Sequence, residues 1–544
     1  PMRRAGDLSA REGRSRAPSN REVPMSRFYI STPIYYVNDR PHIGHVYTTL
    51  IADVIARYHR LKGDDTFLLT GTDEHSNKVI EKANENGMSA EAWSKQNADA
   101  FKACFQGLGL GFDDFIRTSE QRHKDEVRLR VSQLLESGDV YLGEYEGWYD
   151  EGQEEYVTQT AAEESNFLSP INKRPLVRRR EQNYFFRLSA YADALIELIE
   201  SDAMHVQPPG RKQEMLARIR DGLNDVPVSR ISDESWGIQV PGQDRHVIYV
   251  WIDALLNYLS AVDTDGRRHY WPADVHLVGK DILWFHAVIW PALLLALRKR
   301  PGNEWIAPPT RVHAHGFWIR EGEKMSKSMG NFVDLNEIDG YVAKYGLDAM
   351  RFFLVVAGPL GAADADFARE RIHEAYSTNL VNTVGNSVSR TTTMLDKYFE
   401  GVVQAPLEHA ASPKQAVLDL VEQARRAADE LAVDRMTQAA VAIVREVDLF
   451  IQTAQPFKMT APEQRDALGG VLYTCIESLR LASLFLWPVM PEKMAEVWKR
   501  IGCAHYLAPT AEQNLDAWCA WGGIAPGTKI EKGEGLFPRL PVDA

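Results

Sequence analysis

A short, mainly apolar run from Phe28 to Ile34 predicts a buried strand, and a loop from Tyr35 to Arg40 follows it. Apolar positions Ile43, Tyr47, Leu50, Val54, Tyr58 and Leu61 then recur at three- and four-residue spacing, which predicts a helix that stops at Gly63. Thr66 to Leu69 reads as a second buried strand and leads into Gly71-Thr72-Asp73-Glu74-His75. Strand, helix and strand in this order predict a parallel sheet.

The alternation returns much later. His246 to Ile252, Val275 to Val278 and Val312 to Ile319 are strand-like, and an apolar helix is predicted from Ile282 to about Leu297. Between the two halves lies a turn-rich acidic stretch that carries the basic run Arg178-Arg179-Arg180 and a helical segment around Tyr191 to Glu200. Beyond about Glu370 strand signals nearly vanish. Gln415 to Leu431, Asp434 to Thr453 and Leu468 to Trp487 predict an α-helical bundle. The expected fold is α/β: a Rossmann-type parallel sheet forms the catalytic domain, a connective domain is inserted in it, and an all-α bundle follows. The expected boundaries are a disordered leader over 1–25, the two sheet halves over 26–138 and 242–322, the insertion over 139–241, a lysine-rich loop and stem-contact region over 323–375, and the bundle over 376–544.

Residues through Pro24 lack helical or strand period; they are rich in Arg, and Asp7, Glu12 and Glu22 spoil a transit-peptide pattern. Met25 reads as the natural start. At 544 residues with 44% hydrophobic content, more than one folded core is expected. No apolar run approaches the roughly 20 residues of a membrane span, so no membrane partner is expected. Cys104, Cys475, Cys503 and Cys519 are scattered without a Cys-x-x-Cys pair, which points away from a disulfide framework and towards a reducing cytoplasm. The net charge of −13 argues against indiscriminate nucleic-acid binding, yet a local basic surface can still hold RNA.

Two segments carry candidate chemistry. Pro41-His42-Ile43-Gly44-His45 sits where the first strand gives way to its helix, with Pro41 suited to the first helical position. Free backbone N–H groups and the positive dipole end attract anions there. His42 and His45 project from one side of the first turn, Gly44 leaves room for a nucleotide against the backbone, and two imidazoles can donate to phosphate oxygens. Taken alone, the tetrapeptide reads equally well as a pair of surface or capping histidines. The second segment is Lys324-Met325-Ser326-Lys327-Ser328, framed by Gly322 and Gly330 after the last sheet strand. Two lysines and two hydroxyls on such a loop can fold over a triphosphate. Taken alone, a solvated charged loop is the commoner explanation.

Together, a His-Ile-Gly-His after strand one and a Lys-Met-Ser-Lys-Ser after the last strand resemble the paired signatures of the class I aminoacyl-tRNA synthetases. Thr32-Pro33-Ile34-Tyr35-Tyr36, Gly71 to His75, Tyr249-Val250-Trp251-Ile252-Asp253-Ala254 and Gly279-Lys280-Asp281-Ile282 narrow the resemblance to the methionine-specific family, from Ser26 to the end of the chain. The resemblance implies activation of L-methionine with ATP and transfer to tRNA(Met), the initiator included. It implies His42, His45, Lys324 and Lys327 as catalytic residues, and Gly44, Gly279, Asp281, Ser326, Lys324 and Lys327 as the ATP site. Asp73 would hold the methionine ammonium, and Ile34, Tyr36, Trp251, Ala254, Leu255, Tyr258, Ile282, Phe285 and His286 would form or border its side-chain pocket. Asn386, Arg390 and Phe457 match positions that meet the anticodon.

A thioether suits aromatic and aliphatic walls with one or two polar donors, which Tyr36 and His286 can provide. Trp251 and Phe285 by themselves read as core packing, but their places beside the Asp253 and Asp281 strand ends favour a pocket, and His286 alone reads equally well as a satisfied core histidine. Arg390 alone reads as a solvated helix face, and Phe457, where many relatives carry Trp, as a core residue. Many relatives build zinc knuckles from four-cysteine sets in the insertion; no cysteine lies between Asp139 and Pro241, so no metal site and no structural zinc are expected. Mg2+ should accompany ATP through phosphate oxygens and water. With no appended oligonucleotide-binding domain before Ala544, a monomer is expected. The alternatives are a class I synthetase for another small apolar amino acid, a nucleotidyltransferase sharing the His-x-Gly-His device, and a catalytically silent RNA-binding relative.

Overall fold

The computed structural model describes residues 26–541 apart from 39, 153–154, 158, 170–171, 233–235, 321, 326–330 and 511. The expected leader, and with it Met25, lies outside the described residues, as do Ser326 and Lys327.

The first half of the sheet is β1 (Arg27–Tyr36), β2 (Asp65–Asp73) and β3 (Asp114–Arg117). Helix α1 (Ile43–Leu61) connects β1 to β2 as predicted, but it starts at Ile43 with His42 as its cap, so Pro41 precedes the cap. Both strands run further than their apolar cores suggested, and β2 carries Thr72 and Asp73 inside the strand. The stretch expected to be an insertion contributes two things. One is an antiparallel sheet of β4 (Val140–Asp150), β5 (Glu155–Val157), β6 (Val177–Phe186) and β8 (Val226–Pro227). The other is β7 (His205–Gln207), which pairs in parallel with the main sheet. The basic run lies on β6, opposite the acidic strand β4, where Arg180 pairs with Glu144 at 2.9 Å. A small apolar nucleus of Val157, Ala162 and Leu176, backed by Trp148, packs inside this unit.

Next come β9 (Ser229–Ile231) and β10 (His246–Ile248), which pair antiparallel with each other and stay out of the main sheet. The strand expected to reach Ile252 therefore stops at Ile248, and Val250–Leu255 is a short helix. β11 (Val275–Gly279) and β12 (Arg311–His315) complete the core, and β13 (Trp318–Arg320), β14 (Glu323–Lys324) and β15 (Ala365–Asp366) form a separate small sheet. The run expected as one strand from Val312 to Ile319 breaks at Gly316, where a Cβ would lie 2.3 Å from the Ala363 carbonyl oxygen. The helix expected from Ile282 is a single turn over Lys280–Ile282, a π-helical turn over Phe285–Ile289 and an α-helix over Trp290–Arg298.

Among the described residues the main sheet has six strands, all parallel, in the order β3-β2-β1-β11-β12-β7. Both faces are covered, which is why its strands read as apolar runs rather than alternations. One face packs on Gln121–Ser137 and Trp290–Arg298; the other packs on α1 and is continuous with the core of the bundle. Strand order reverses between β1 and β11, the place where open α/β sheets hold ligands beyond the strand ends.

The helices Asn386–Phe399, Lys414–Asp429, Val433–Ala454 and Arg465–Leu486 build the predicted bundle. By length and composition the stretch Pro462–Leu486 would reach across a membrane, an exception to the expectation of no such run; its most apolar part is wholly buried in the bundle. Its middle carries the ion pair Glu477–Arg480, whose side chains are fully buried. Arg480 also donates to the carbonyls of Trp518 (2.6 Å) and Ala520 (2.7 Å), and Glu477 accepts from the backbone of Gly522, Gly523 and Ile524. The pair thus clasps the returning C-terminal segment to the bundle. Bundle and sheet are joined by Arg351, which bonds Asp53 of α1 at 2.6 Å and the Val489 carbonyl at 2.8 Å.

Candidate active site

The opening turn of α1 explains its own sequence. His42 Nδ1 accepts from the Gly44 backbone N–H at 3.1 Å, and His45 Nδ1 accepts from the His42 backbone N–H at 3.2 Å. Each imidazole therefore spends its Nδ1 lone pair on the helix cap. The neutral rings then carry their protons on Nε2, which makes Nε2 the donor atom of each. Their centroids are 3.7 Å apart. Burial and the neighbouring His42 hold His45 well below the ordinary histidine range, which keeps it neutral. Gly44 has a nearer reason than room for a nucleotide: a Cβ there would sit 2.9 Å from His42 Cε1 and push the ring off the cap.

This turn forms one wall of a cleft of about 290 Å³ at the carboxyl ends of β1, β2, β11 and β12. Ile34, Tyr36, His42, Gly44, His45 and Asp73 line it from the first half of the sheet. Trp251, Ala254, Leu255, Tyr258, Gly279, Asp281, Ile282 and His286 line it from the second. Asp73 is buried at the end of β2. Asp281 follows β11, and a Cβ on Gly279 would lie 2.7 Å from its Oδ1. Phe285, predicted for the pocket, does not line the cleft; it stacks behind Trp251 at 3.7 Å with an interplanar angle of 8°. Tyr36 meets Trp251 edge-on at 6.4 Å.

His286 differs from expectation. Its Nδ1 lies 2.9 Å from the Ile282 carbonyl, which can only accept, so the proton is on Nδ1. Its Nε2 must then accept from Tyr258 Oη at 2.7 Å, and the ring has no donor left for a substrate. Burial lowers its pKa to about 4, against the Ile282 bond, so the neutral form persists.

Lys324 stands on β14, paired with Ile319 across a hairpin that turns at Gly322 (φ +77). Just past the lysine loop, Phe332 meets the His42 ring edge-on at 5.1 Å, so the chain leaving the loop touches the opening turn of α1. Asn386 opens its helix, Arg390 follows one turn later and pairs with Asp448 at 3.6 Å, and Phe457 is 47% exposed just after Val433–Ala454. None of the three lines the cleft.

Sequence reasoning passed over several groups at the cleft. Thr48, four residues after Gly44 on the same helix face, lies 2.8 Å from His315 Nε2, and both line the cleft. Asn257 and Phe317 line it too. Asp253, expected at a strand end beside the pocket, faces away from it. The Asp253 carboxylate bonds His75 Nδ1 and His123 Nε2, each at 2.7 Å, fully buried. Burial pushes Asp253 up, but the two histidines outweigh this and hold it at about 2. This triad joins the segment just after β2 to Gln121–Ser137 and Val250–Leu255, and so ties the chain next to Asp73 to the helix that carries Ala254. Beside it Glu74 takes both Arg117 Nε (2.7 Å) and Nη2 (2.9 Å).

Among the described residues, no group of three or more His, Cys, Asp or Glu side chains is placed to hold a metal ion. All four cysteines are free thiols, and burial pushes Cys104, Cys475 and Cys519 up to about 12.

The family model described as tRNA synthetases class I (M) matches residues 28–165 and 161–392. The methionine–tRNA ligase of Halalkalibacterium halodurans is 37% identical over 536 residues, covering 95% of this chain and 79% of the relative. That of Streptomyces coelicolor is 38% identical, covering 94% of this chain and 96% of the relative. The solved structure of Mycobacterium tuberculosis methionyl-tRNA synthetase in complex with methionyl-adenylate superposes with a TM-score of 0.85 at 34% identity, covering 95% of this chain and 100% of that one. The apo form of the same enzyme gives 0.80 at 32% identity, covering 95% and 99%.

Proposed function

The chain belongs to the methionine–tRNA ligase family of class I tRNA synthetases, and from that premise we propose how its cleft performs the reaction. The protein activates L-methionine with ATP: a methionine carboxylate oxygen attacks the α-phosphorus, the bond to the β-phosphate breaks, and pyrophosphate leaves. A ribose hydroxyl of tRNA(Met), the initiator included, then attacks the methionyl carbonyl of the adenylate; an ester forms, the bond to phosphate breaks and AMP leaves. The observation that carries this reading is the convergence of two neutral, Nε2-protonated histidines, a buried aspartate and an aromatic wall on one cleft at the reversal of strand order.

His42 and His45 donate through Nε2 to phosphate oxygens as negative charge builds on them. Such donors are worth most when fixed beforehand, and both rings are already held by the helix cap. Asp73 holds the substrate ammonium. Asp281 faces the ribose, with Gly44 and Gly279 allowing the nucleotide close to the backbone. Lys324, Ser326 and Lys327 neutralise the departing phosphates. Ile34, Tyr36, Trp251, Ala254, Leu255, Tyr258, Ile282 and His286 enclose the thioether side chain, and Phe285 backs Trp251. Asn386, Arg390 and Phe457 meet the anticodon.

Magnesium would accompany ATP, held mainly through phosphate oxygens and water, and would neutralise phosphate charge there. The described residues offer no ligand set for zinc. We further propose a monomer working in the cytoplasm: free thiols suit a reducing compartment, and sedimentation of the purified chain tests the oligomeric state. The deciding experiment for the function is pyrophosphate–ATP isotope exchange across the twenty amino acids. Methionine should drive the fastest exchange; another amino acid outpacing it would overturn the substrate assignment.

A further inference from the structure

Behind the cleft, two buried hydrogen-bond chains with fixed directions meet at Tyr258. Trp290 Nε1, which can only donate, bonds His276 Nε2 at 3.2 Å. His276 must therefore carry its proton on Nδ1 and donate it to Ser31 Oγ, 2.6 Å away. Ser31 and His276 are direct partners across β1 and β11, where strand order reverses. At the other end, the Ile282 carbonyl fixes His286 so that its Nε2 accepts from Tyr258 Oη. Tyr258 joins the two. Its ring lies against His276 with centroids 4.1 Å apart, the side chains of Asn257 and Ser31 lie near its hydroxyl, and its carbonyl accepts from Tyr29 Oη at 3.2 Å. Ser31, His276 and Trp290 are completely buried and none of them lines the cleft. Burial keeps His276 neutral, so no second proton reverses its bonds.

A tyrosine ring at the wall of a small pocket needs its height and its hydroxyl direction set by something rigid, because an error of about 1 Å is enough to spoil a site. We propose that His276 and Ser31 are positioning residues for the amino-acid pocket, holding the Tyr258 ring and hydroxyl, and through them His286, without touching substrate. This rests on the reading of that wall as the methionine side-chain pocket. The histidine is a plate for the tyrosine ring and a donor for the serine at once. A leucine at 276 would fill the volume and lose both directions.

The test is steady-state exchange kinetics on the full chain carrying Ser31→Ala, His276→Leu or His276→Asn, each checked for folding by its thermal melt. Ser31→Ala and His276→Leu should raise KM for methionine about tenfold, while KM for ATP stays within about twofold and kcat within about threefold. His276→Asn, whose amide nitrogen can stand where Nδ1 stands, should bring KM for methionine back to within about threefold of the parent. Equal rises in both KM values, a loss confined to kcat, or an asparagine variant as weak as the leucine one would overturn the proposal. Should His276→Leu not fold, Ser31→Ala and His276→Asn decide the matter alone. An unaltered chain that exchanges poorly with methionine would instead sink the assignment of the pocket.

Discussion

The floor of the cleft and the middle of the bundle both bury polar groups completely, and they do so in opposite ways. In and behind the cleft three of the buried groups are histidines kept neutral, each with its two nitrogens assigned to fixed partners: His276, His286 and His315. In the bundle the buried groups are a full ion pair, Glu477 and Arg480, wrapped by carbonyls and backbone N–H groups. Neutral rings cost little to leave facing a substrate, and their direction can be set from behind. An ion pair tolerates no gap in its partners, since the desolvation cost of each charge is large. The first arrangement suits a site that exchanges ligands, the second a joint that stays closed.

Breaking the joint should give the largest effect. Glu477→Ala leaves the Arg480 guanidinium buried and uncompensated, together with the backbone N–H groups of Gly522 to Ile524, and should cost about 3–5 kcal/mol of stability. Denaturant melts read the loss, and below the transition the exchange rate should match the parent. A variant of parental stability would show that the clasp is slack.

His45→Ala attacks the other side of the comparison. It removes one Nε2 donor and the acceptor for the His42 N–H, and exchange should fall about 100- to 1,000-fold, or about 2.7–4 kcal/mol of transition-state stabilisation. The fold should persist, because the helix keeps its buried faces. Exchange within tenfold of the parent would take His45 out of the mechanism.

Acidity separates the two regions next. His286 and His315 are each lowered to about 4 by burial, against backbone bonds to Ile282 and Gly316. The unfolded chain, with histidines near about 6.5, binds more protons than the folded one between those values. Stability should therefore fall as pH drops from about 6.5 towards about 4, by up to about 3 kcal/mol for each of the two. Melts across that range, compared with a His315→Gln variant, would read the contribution. An unchanged slope in that variant would place the acid sensitivity elsewhere.

Much of this architecture was legible in the chain because its strands and helices are covered in a regular way. α1 follows its apolar spacing, and the bundle helices follow theirs within a few residues. The failures share one cause. Val247 to Ile252 is apolar throughout, with a β-branched or aromatic side chain at every position, so it carries no period, and only pairing with β9 decides that the strand ends at Ile248. The helix that follows turns Ala254 to the cleft and Asp253 away from it, towards histidines at positions 75 and 123. No local pattern brings those positions together. The returning His42 ring, which also calls for glycine at position 44, likewise leaves no mark in the sequence. The helix Arg465–Leu486 was legible as a bundle helix, and the charged pair Glu477 and Arg480 in its middle is what interrupts its apolar run.

The smallest expected effect lies where the bundle meets solvent. Arg390 is held by Asp448 at 3.6 Å rather than sealed in, and burial raises Asp448 while Ser387 and Arg390 pull the other way. A loosely paired arginine can exchange its carboxylate for an RNA acceptor with little net gain, so Arg390→Ala should weaken tRNA charging by about tenfold, a little over 1 kcal/mol. The cleft is untouched by this change, so pyrophosphate exchange should stay at the parental rate. Phe457→Ala, which removes an exposed ring able to stack on a base, should act in the same assay with a loss of about 1–3 kcal/mol at most. Losses that appear equally in charging and in exchange would show that the bundle face acts on the cleft through the shared core rather than on tRNA.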